Sequence, residues 1–161
     1  MPTDRAPTPS RLAPALLAAL RIYLGMVLVV AVWPKLFGEP SFASQLPMIL
    51  ERLGEGAPVA YRAFLHGVVI PHPGVFAGLV TVGELAAGLS LLSGTATRLG
   101  AGVAIVLFLN YMTLKGHLPW APASNDAAFL VIAVAVLLGA AGRTFGADRW
   151  LAARWPSVPA W

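Results

Sequence analysis

Apolar residues of this 161-residue chain fall into four long stretches with few charges inside them. The stretches cover residues 12–37, 74–97, 98–115 and 126–143. A helix rises 1.5 Å per residue, so about 20 apolar residues cross a hydrocarbon core of roughly 30 Å. The third stretch is shorter, but the long side chains of Arg98 and Lys115 at its ends can reach the interface and extend it. The pattern therefore predicts an all-α integral membrane protein, a bundle of four membrane-spanning helices.

The segment between the first two stretches is apolar on one side only. Ser44, Glu51 and Arg52 lie opposite an apolar stripe with helical spacing, which consists of Phe42, Leu46, Ile49, Leu50 and Leu53. Pro47 is expected to start or kink this helix. The next run, residues 59–70, is apolar but too short to span. We therefore expect an amphipathic or re-entrant helical connection between helices 1 and 2.

The composition is typical of a membrane protein and excludes several kinds of redox centre. Apolar residues make up 58% of the chain and charged residues 11%, whereas a soluble domain carries roughly 25% charged residues. The chain has no cysteine, so we expect no disulfide, iron–sulfur cluster or cysteine-ligated zinc. Its three histidines show no metal-binding spacing and no facing mid-span pair, so we expect neither a metal site nor haem.

The distribution of basic residues predicts the orientation. The net charge is +4, which in so apolar a chain indicates contact with anionic lipid rather than with nucleic acid. One side of the predicted topology carries most of the arginines, namely Arg5, Arg11, Arg98, Arg143, Arg149 and Arg154. This side should be cytoplasmic, with both termini inside. Residues 1–11 then form a disordered cytoplasmic N-terminus, and residues 144–161 an interfacial cytoplasmic tail containing three tryptophans.

Polar residues inside the predicted spans are the main candidates for function. A charge at the bilayer centre costs ~2.5–3.5 kcal/mol on insertion scales, so it normally faces a partner or a cavity. Counting along the spans places Arg21, Glu84 and Asn110 within reach of one another, as a network that fixes helix register or as a polar site for a head group or a proton. Lys35 and Tyr111 lie nearer the outer ends. We expect any ligand to bind between the first three spans in the outer half, with Lys35 and Tyr111 at the mouth and Glu84 at the floor.

Three ordered motifs resemble the DoxX family. They are Leu20-Arg21 with Gly25 and Lys35-Leu36-Phe37-Gly38, then the string from Gly83 to Gly94 closed by Thr97-Arg98-Leu99, and finally Gly142-Arg143 with Asp148-Arg149-Trp150-Leu151. The family comprises four-span membrane proteins of bacteria and archaea, including a subunit of a thiosulfate:quinone oxidoreductase. This chain departs from the family at Val32-Trp33-Pro34, where other members often carry His-Gly.

The resemblance implies a bacterial or archaeal cytoplasmic membrane protein with quinone as the candidate cofactor. Three interpretations remain open at this point: a subunit of a quinone-linked membrane oxidoreductase, a non-catalytic structural or assembly subunit of a larger membrane complex, and a small-molecule binder or transporter. The expected partners are the lipid bilayer and other membrane or periplasmic subunits, or further copies of this chain. The candidate ligand-binding residues are Arg21, Lys35, Glu84, Asn110 and Tyr111.

Overall fold

The computed structural model describes residues 12–117, 125–139 and 141–158. Its helices are α1 (Leu12–Phe37), α2 (Phe42–Leu53), α3 (Val59–Phe64), α4 (Pro73–Ser93), α5 (Thr97–Lys115), α6 (Asn125–Leu138) and α7 (Asp148–Arg154). A π-helical turn, Leu65–Val69, continues α3. The described residues contain no strand, so the predicted all-α class is confirmed. The predicted disorder of residues 1–11 lies outside the described part of the chain.

Among the described helices, α1, α4, α5 and α6 form the bundle, and each of these packs on two of the others. Helix α1 packs on α4 and α6, and α5 packs on the same two. Successive bundle helices run antiparallel, because the start of α1 contacts the end of α6 through Leu17 and Gly139, while the end of α5 meets the start of α6 through Lys115 and Asp126. We call the end that carries α2 and α3 the connection end, and the end that carries the α4–α5 turn the turn end.

Three of the described helices are long and apolar enough to cross a membrane. They are α1 with 26 residues, α4 with 21 and α5 with 19. Helix α6 has 14 residues, a rise of about 21 Å, which is less than a hydrocarbon core of roughly 30 Å. The predicted fourth stretch, 126–143, is therefore corrected at its far end, where the helix stops at Leu138 and a 3-10 turn covers Ala141–Arg143. A fourth full span stays a prediction.

A close crossing of glycines fixes the register between α1 and α4. A Cβ on Gly25 would lie 2.9 Å from the backbone nitrogen of Leu92, and one on Gly88 would lie 2.8 Å from a methyl group of Val29. Only small residues let two helix backbones approach this closely. Counting from the contacts of this crossing, Glu84 of α4 lies within about two residues of the level of Ala31 of α1.

The C-terminal segment folds back onto the α4–α5 turn. Helix α4 ends at Ser93, four residues before the predicted end at 97, and Gly94 caps it in the left-handed conformation with φ of 67°. The Asp148 carboxylate accepts hydrogen bonds from the backbone nitrogens of Ala96 at 2.6 Å and Thr97 at 2.9 Å. It thereby caps α5 from outside that helix. The interfacial position of the tail is still a prediction.

The connection contains the amphipathic helix that the sequence predicts. In α2, Leu46 and Leu50 are buried. Ser44, Glu51 and Arg52 on the opposite side are exposed. Helix α2 begins at Phe42 after the N-cap Ser41, so Pro47 lies inside the helix and does not start it. Leu46 and Leu50 pack in one cluster with Leu65 and Val69 from the segment after α3 and with Ala77 and Leu114 of the bundle. Re-entry of residues 59–70 into the membrane stays a prediction.

A candidate ligand cavity around a paired carboxylate

Glu84 is the central polar residue of the bundle. Its side chain is 2% exposed and both of its oxygens are occupied. Lys35 of α1 forms an ion pair with Oε2, and the Tyr111 hydroxyl of α5 donates a hydrogen bond of 2.5 Å to Oε1. A buried carboxylate is tolerated when its charge is paired and its lone pairs are hydrogen-bonded. We call Lys35, Glu84 and Tyr111 the carboxylate triad; it joins three helices.

The helix register explains why Lys35 reaches Glu84. Glu84 lies close to the level of Ala31, so Lys35 starts about 6 Å nearer the connection end at a rise of 1.5 Å per residue. Helical side chains lean toward the N-terminus of their helix, which for α1 is the direction of Glu84. The Lys35 side chain remains 18% exposed, so its ammonium group borders the surface of the bundle.

A cavity of about 250 Å³ opens beside the triad between α1, α2, α4 and α5. Its polar lining consists of the triad together with Asn110 and Lys115. Its apolar lining comes largely from α2, through Phe42, Leu46, Ile49, Leu50 and Leu53, with Val80 and Leu114 from the bundle. The structure thus brings four of the five candidate residues to one cavity in the half of the bundle nearest the connection end.

Two further contacts at the cavity were not predicted from the sequence. The Tyr61 hydroxyl of α3 donates a 2.7 Å hydrogen bond to Oδ1 of Asn110. Burial raises the pKa of the Tyr61 phenol, so this residue stays a neutral donor. Lys115 forms a 2.6 Å ion pair with Asp126 at the start of α6. The two residues flank the loop between α5 and α6, a position that could have suggested their pairing.

Arg21 does not join the other candidates, and the predicted Arg21–Glu84–Asn110 network is wrong in its geometry. Arg21 lies about ten residues from the level of Glu84, about 15 Å along the helix axis, which is beyond the reach of its side chain. The sequence count aligned the helices by their ends, whereas the Gly25–Gly88 crossing sets their actual register. Asn110 bonds to Tyr61 and not to Glu84.

Arg21 instead joins α1 to the C-terminal segment at the turn end. Its side chain is fully buried, and Nη2 donates a 3.0 Å hydrogen bond to the carbonyl of Phe145. The guanidinium lies against Gly94 and Gly146, where any Cβ would collide with it. Asp148 is close enough to interact electrostatically with it. Arg21 therefore holds the tail of the chain against the bundle and does not line the cavity.

Within the described residues, no three acidic or histidine side chains come together as metal ligands would. His66 borders a separate surface depression between α2 and α3, with Glu51, Glu55 and Arg62. The polar groups that line the cavity are the two ammonium groups of Lys35 and Lys115, one carboxylate, one phenol and one amide.

Fold and site together define an all-α membrane protein with a paired carboxylate beside a small amphipathic cavity. Residues 16–117 match the family model described as DoxX, and the chain belongs to the DoxX family. The match contains the carboxylate triad, Asn110 and the first two of the three motifs, and ends before α6. No curated protein matches the chain. No solved structure matches it.

Proposed function

We propose that this protein is the quinone-binding membrane subunit of a redox system and that the cavity beside the carboxylate triad holds the quinone head group. One observation carries the proposal. A charged and hydrogen-bonded group, buried in the part of the bundle predicted to lie in the membrane, forms one wall of a cavity whose opposite wall is apolar. Ligand sites typically combine apolar walls with a few well-placed polar groups.

The lining residues suit the two carbonyl oxygens of a quinone. The Lys35 ammonium has three N–H donors, of which the pair with Glu84 uses one. The hydrogen bonds within the described residues use the carbonyl oxygen of Asn110 and leave its amide N–H groups for a ligand. The flat faces of a ring would pack against Phe42 and the leucines of α2.

The size of the cavity favours a head group over a whole lipid-soluble molecule. Sites for drug-sized ligands span roughly 300–1,000 Å³, and this one holds about 250 Å³. A single substituted ring would enter it, with the isoprenoid tail remaining in the bilayer. This arrangement requires lateral entry beneath α2, the helix that covers the cavity.

A bound quinone would supply the electron chemistry, since quinones accept two electrons and two protons. The chain has no cysteine, so the electrons would come from a partner protein. Glu84 and Tyr111 already share a proton-bearing hydrogen bond of 2.5 Å and could hold a proton at the ring oxygen. This role rests on the same cavity and would fail with it.

Photolabelling with an azido-ubiquinone analogue in proteoliposomes tests the location of the site. We expect saturable labelling of peptides from α2, α4 and α5 near the connection end, with competition by unlabelled ubiquinone-1. Tyr111→Phe should weaken labelling about fivefold, because Glu84 loses the Tyr111 hydroxyl and then competes more strongly with the quinone for the Lys35 ammonium. Tyr23→Phe is the matched control, because Tyr23 is 51% exposed on the outside of α1. Labelling confined to the turn end, or labelling that does not saturate, would contradict the proposal and favour a structural role for the triad.

A further inference from the structure

A second concave surface lies on the outside of the bundle between α4 and α5. It is an apolar groove of about 470 Å³ that runs toward the turn end, where Arg98 forms its polar end. Leu79, Gly83, Gly102 and Val106 lie along it. We call it the α4–α5 groove; it shares no lining residue with the cavity around Glu84.

The two glycines make the groove deep enough to receive a chain. A Cβ on Gly102 would meet nothing within 4 Å, and one on Gly83 would first meet leucine and valine methyl groups at 3.9 Å. The groove extends from Arg98 to Val106, about 12 Å along α5 at 1.5 Å per residue. One leaflet of a roughly 30 Å hydrocarbon core measures about 15 Å, so the groove covers most of a leaflet.

Arg98 lacks an anionic partner in the described part of the chain. The ion pairs there join Lys35 to Glu84 and Lys115 to Asp126. The Arg98 Nε is buried and makes no hydrogen bond within the described residues. Asp148 accepts hydrogen bonds from the backbone nitrogens of Ala96 and Thr97, and it forms no ion pair with Arg98. The terminal nitrogens of Arg98 have no acceptor among the described residues either, and they are not buried, so an anion at the end of the groove can reach them.

We propose that the α4–α5 groove is a binding site for one anionic phospholipid of the leaflet at the turn end. The phosphate accepts hydrogen bonds from Arg98, and an acyl chain lies along Gly83 and Gly102. Charge complementarity identifies this occupant, because an arginine at the polar end of a membrane-facing apolar groove matches the layout of a phospholipid. An apolar helix of a second copy would cover the groove without supplying an acceptor to Arg98.

Native mass spectrometry of the full chain in detergent, titrated with phosphatidylglycerol, tests the proposal. The wild type should retain one lipid saturably. Arg98→Gln should weaken binding about fivefold, as expected for the loss of one basic group, whereas Arg98→Lys should keep most of the affinity. Arg149→Gln is the matched control, because Arg149 is an exposed arginine of α7 at the same end of the bundle that does not line the groove.

A substitution that blocks the groove tests the contribution of the acyl chain to binding separately from that of the phosphate. Gly102→Leu should place its side chain in the groove and abolish the saturable lipid, while Gly78→Leu adds the same side chain at another open glycine outside it. Inorganic phosphate should not compete with the lipid. Equal lipid retention by Arg98→Gln and wild type, or by Gly102→Leu and Gly78→Leu, would overturn the proposal. Loss of a dimer peak in Gly102→Leu without loss of lipid would instead identify the groove as a contact between copies.

Discussion

At the scale of single residues, the carboxylate triad places an ion pair inside the bundle. Glu84 is almost fully buried, and its charge is tolerated because Lys35 and Tyr111 occupy both oxygens. Removing one member of a buried ion pair costs roughly 3–5 kcal/mol, since the remaining charge is left without compensation. The loss of unfolding free energy caused by a substitution in the triad should therefore depend on how many polar groups the substitution leaves without a partner.

Glu84→Gln should be milder than Glu84→Leu. Glutamine keeps an oxygen that can accept the Tyr111 hydroxyl, whereas leucine leaves both Lys35 and Tyr111 without their partner. We expect the leucine variant to lose about 3 kcal/mol of unfolding free energy and the glutamine variant clearly less. Thermal unfolding in detergent measures the difference. Equal loss in both variants would show that the hydrogen bonds of Glu84 do not stabilise the bundle.

Lys35→Met should be more damaging alone than together with Glu84→Gln. The single variant leaves the Glu84 charge buried, and the second substitution removes that charge. A double-mutant cycle should show coupling of about 1–3 kcal/mol. The matched pair Arg52→Met and Glu51→Gln, on the exposed side of α2, should show almost none. Additive effects at Lys35 and Glu84 would contradict the ion pair.

At the scale of helices, the Gly25–Gly88 crossing determines which residues meet. The sequence identified Lys35, Glu84, Asn110 and Tyr111 as neighbours of one site because each is a polar residue in or near a predicted span. It could not identify the partners of Arg21, because the axial register of two helices depends on where their backbones touch. The sequence also could not show where α6 ends, because the segment after it contacts residues that are distant in sequence. A Cβ on Gly142, for example, would collide with Thr97 and Asp148.

Alanine substitutions at two glycines of the bundle should change the stability of the protein in opposite directions, depending on whether the glycine lies at the crossing. Gly25→Ala forces a Cβ to within 2.9 Å of the α4 backbone and should destabilise the protein. Gly78→Ala meets nothing within 4 Å and should be neutral or stabilising by up to about 1 kcal/mol, the helix propensity gained over glycine. Thermal unfolding of the two variants gives the comparison. Gly25→Ala as stable as Gly78→Ala would rule out so close a contact.

Asp148→Ala should loosen both α5 and the tail. The substitution removes two backbone hydrogen bonds at the start of α5 and the carboxylate near Arg21. Loss of a helix cap costs about 0.5–2 kcal/mol, and the buried Arg21 charge should add to this. Hydrogen exchange at the start of α5 and in α7 should rise, while Glu55→Ala, an exposed residue of the connection, should leave it unchanged. Unchanged exchange in the Asp148 variant would contradict the capping role.

At the scale of the whole molecule, the predicted fold class is confirmed, whereas the predicted number of four spans stays a prediction. Long apolar runs were enough to predict an all-α membrane bundle and its amphipathic connection. The fourth run contained a helix of 14 residues, because Gly139 and Gly142 follow it and the chain turns back to pack on Thr97. Composition cannot show such a turn, since alanine and glycine continue the apolar run without a break.

Orientation is a property of the whole molecule and can be measured directly. The chain has no cysteine, so single cysteines can be introduced without background. Gly67→Cys near the connection end and Thr95→Cys in the α4–α5 turn should react with a membrane-impermeant maleimide from opposite sides, with Thr95 cytoplasmic. Reaction of both from one side would contradict the bundle topology, and the reverse sidedness would contradict the predicted orientation.

The central claim, that the cavity beside the carboxylate triad holds a quinone, is tested most directly by the quinone content of the purified protein. The wild type and the Tyr23→Phe control should each yield close to one quinone per chain on organic extraction and mass spectrometry of protein purified from native membranes. Tyr111→Phe should yield several-fold less quinone, because Glu84 loses the hydrogen bond from the Tyr111 hydroxyl. Equal quinone in Tyr111→Phe and Tyr23→Phe, or none in the wild type even after incubation with ubiquinone-1, would contradict the account.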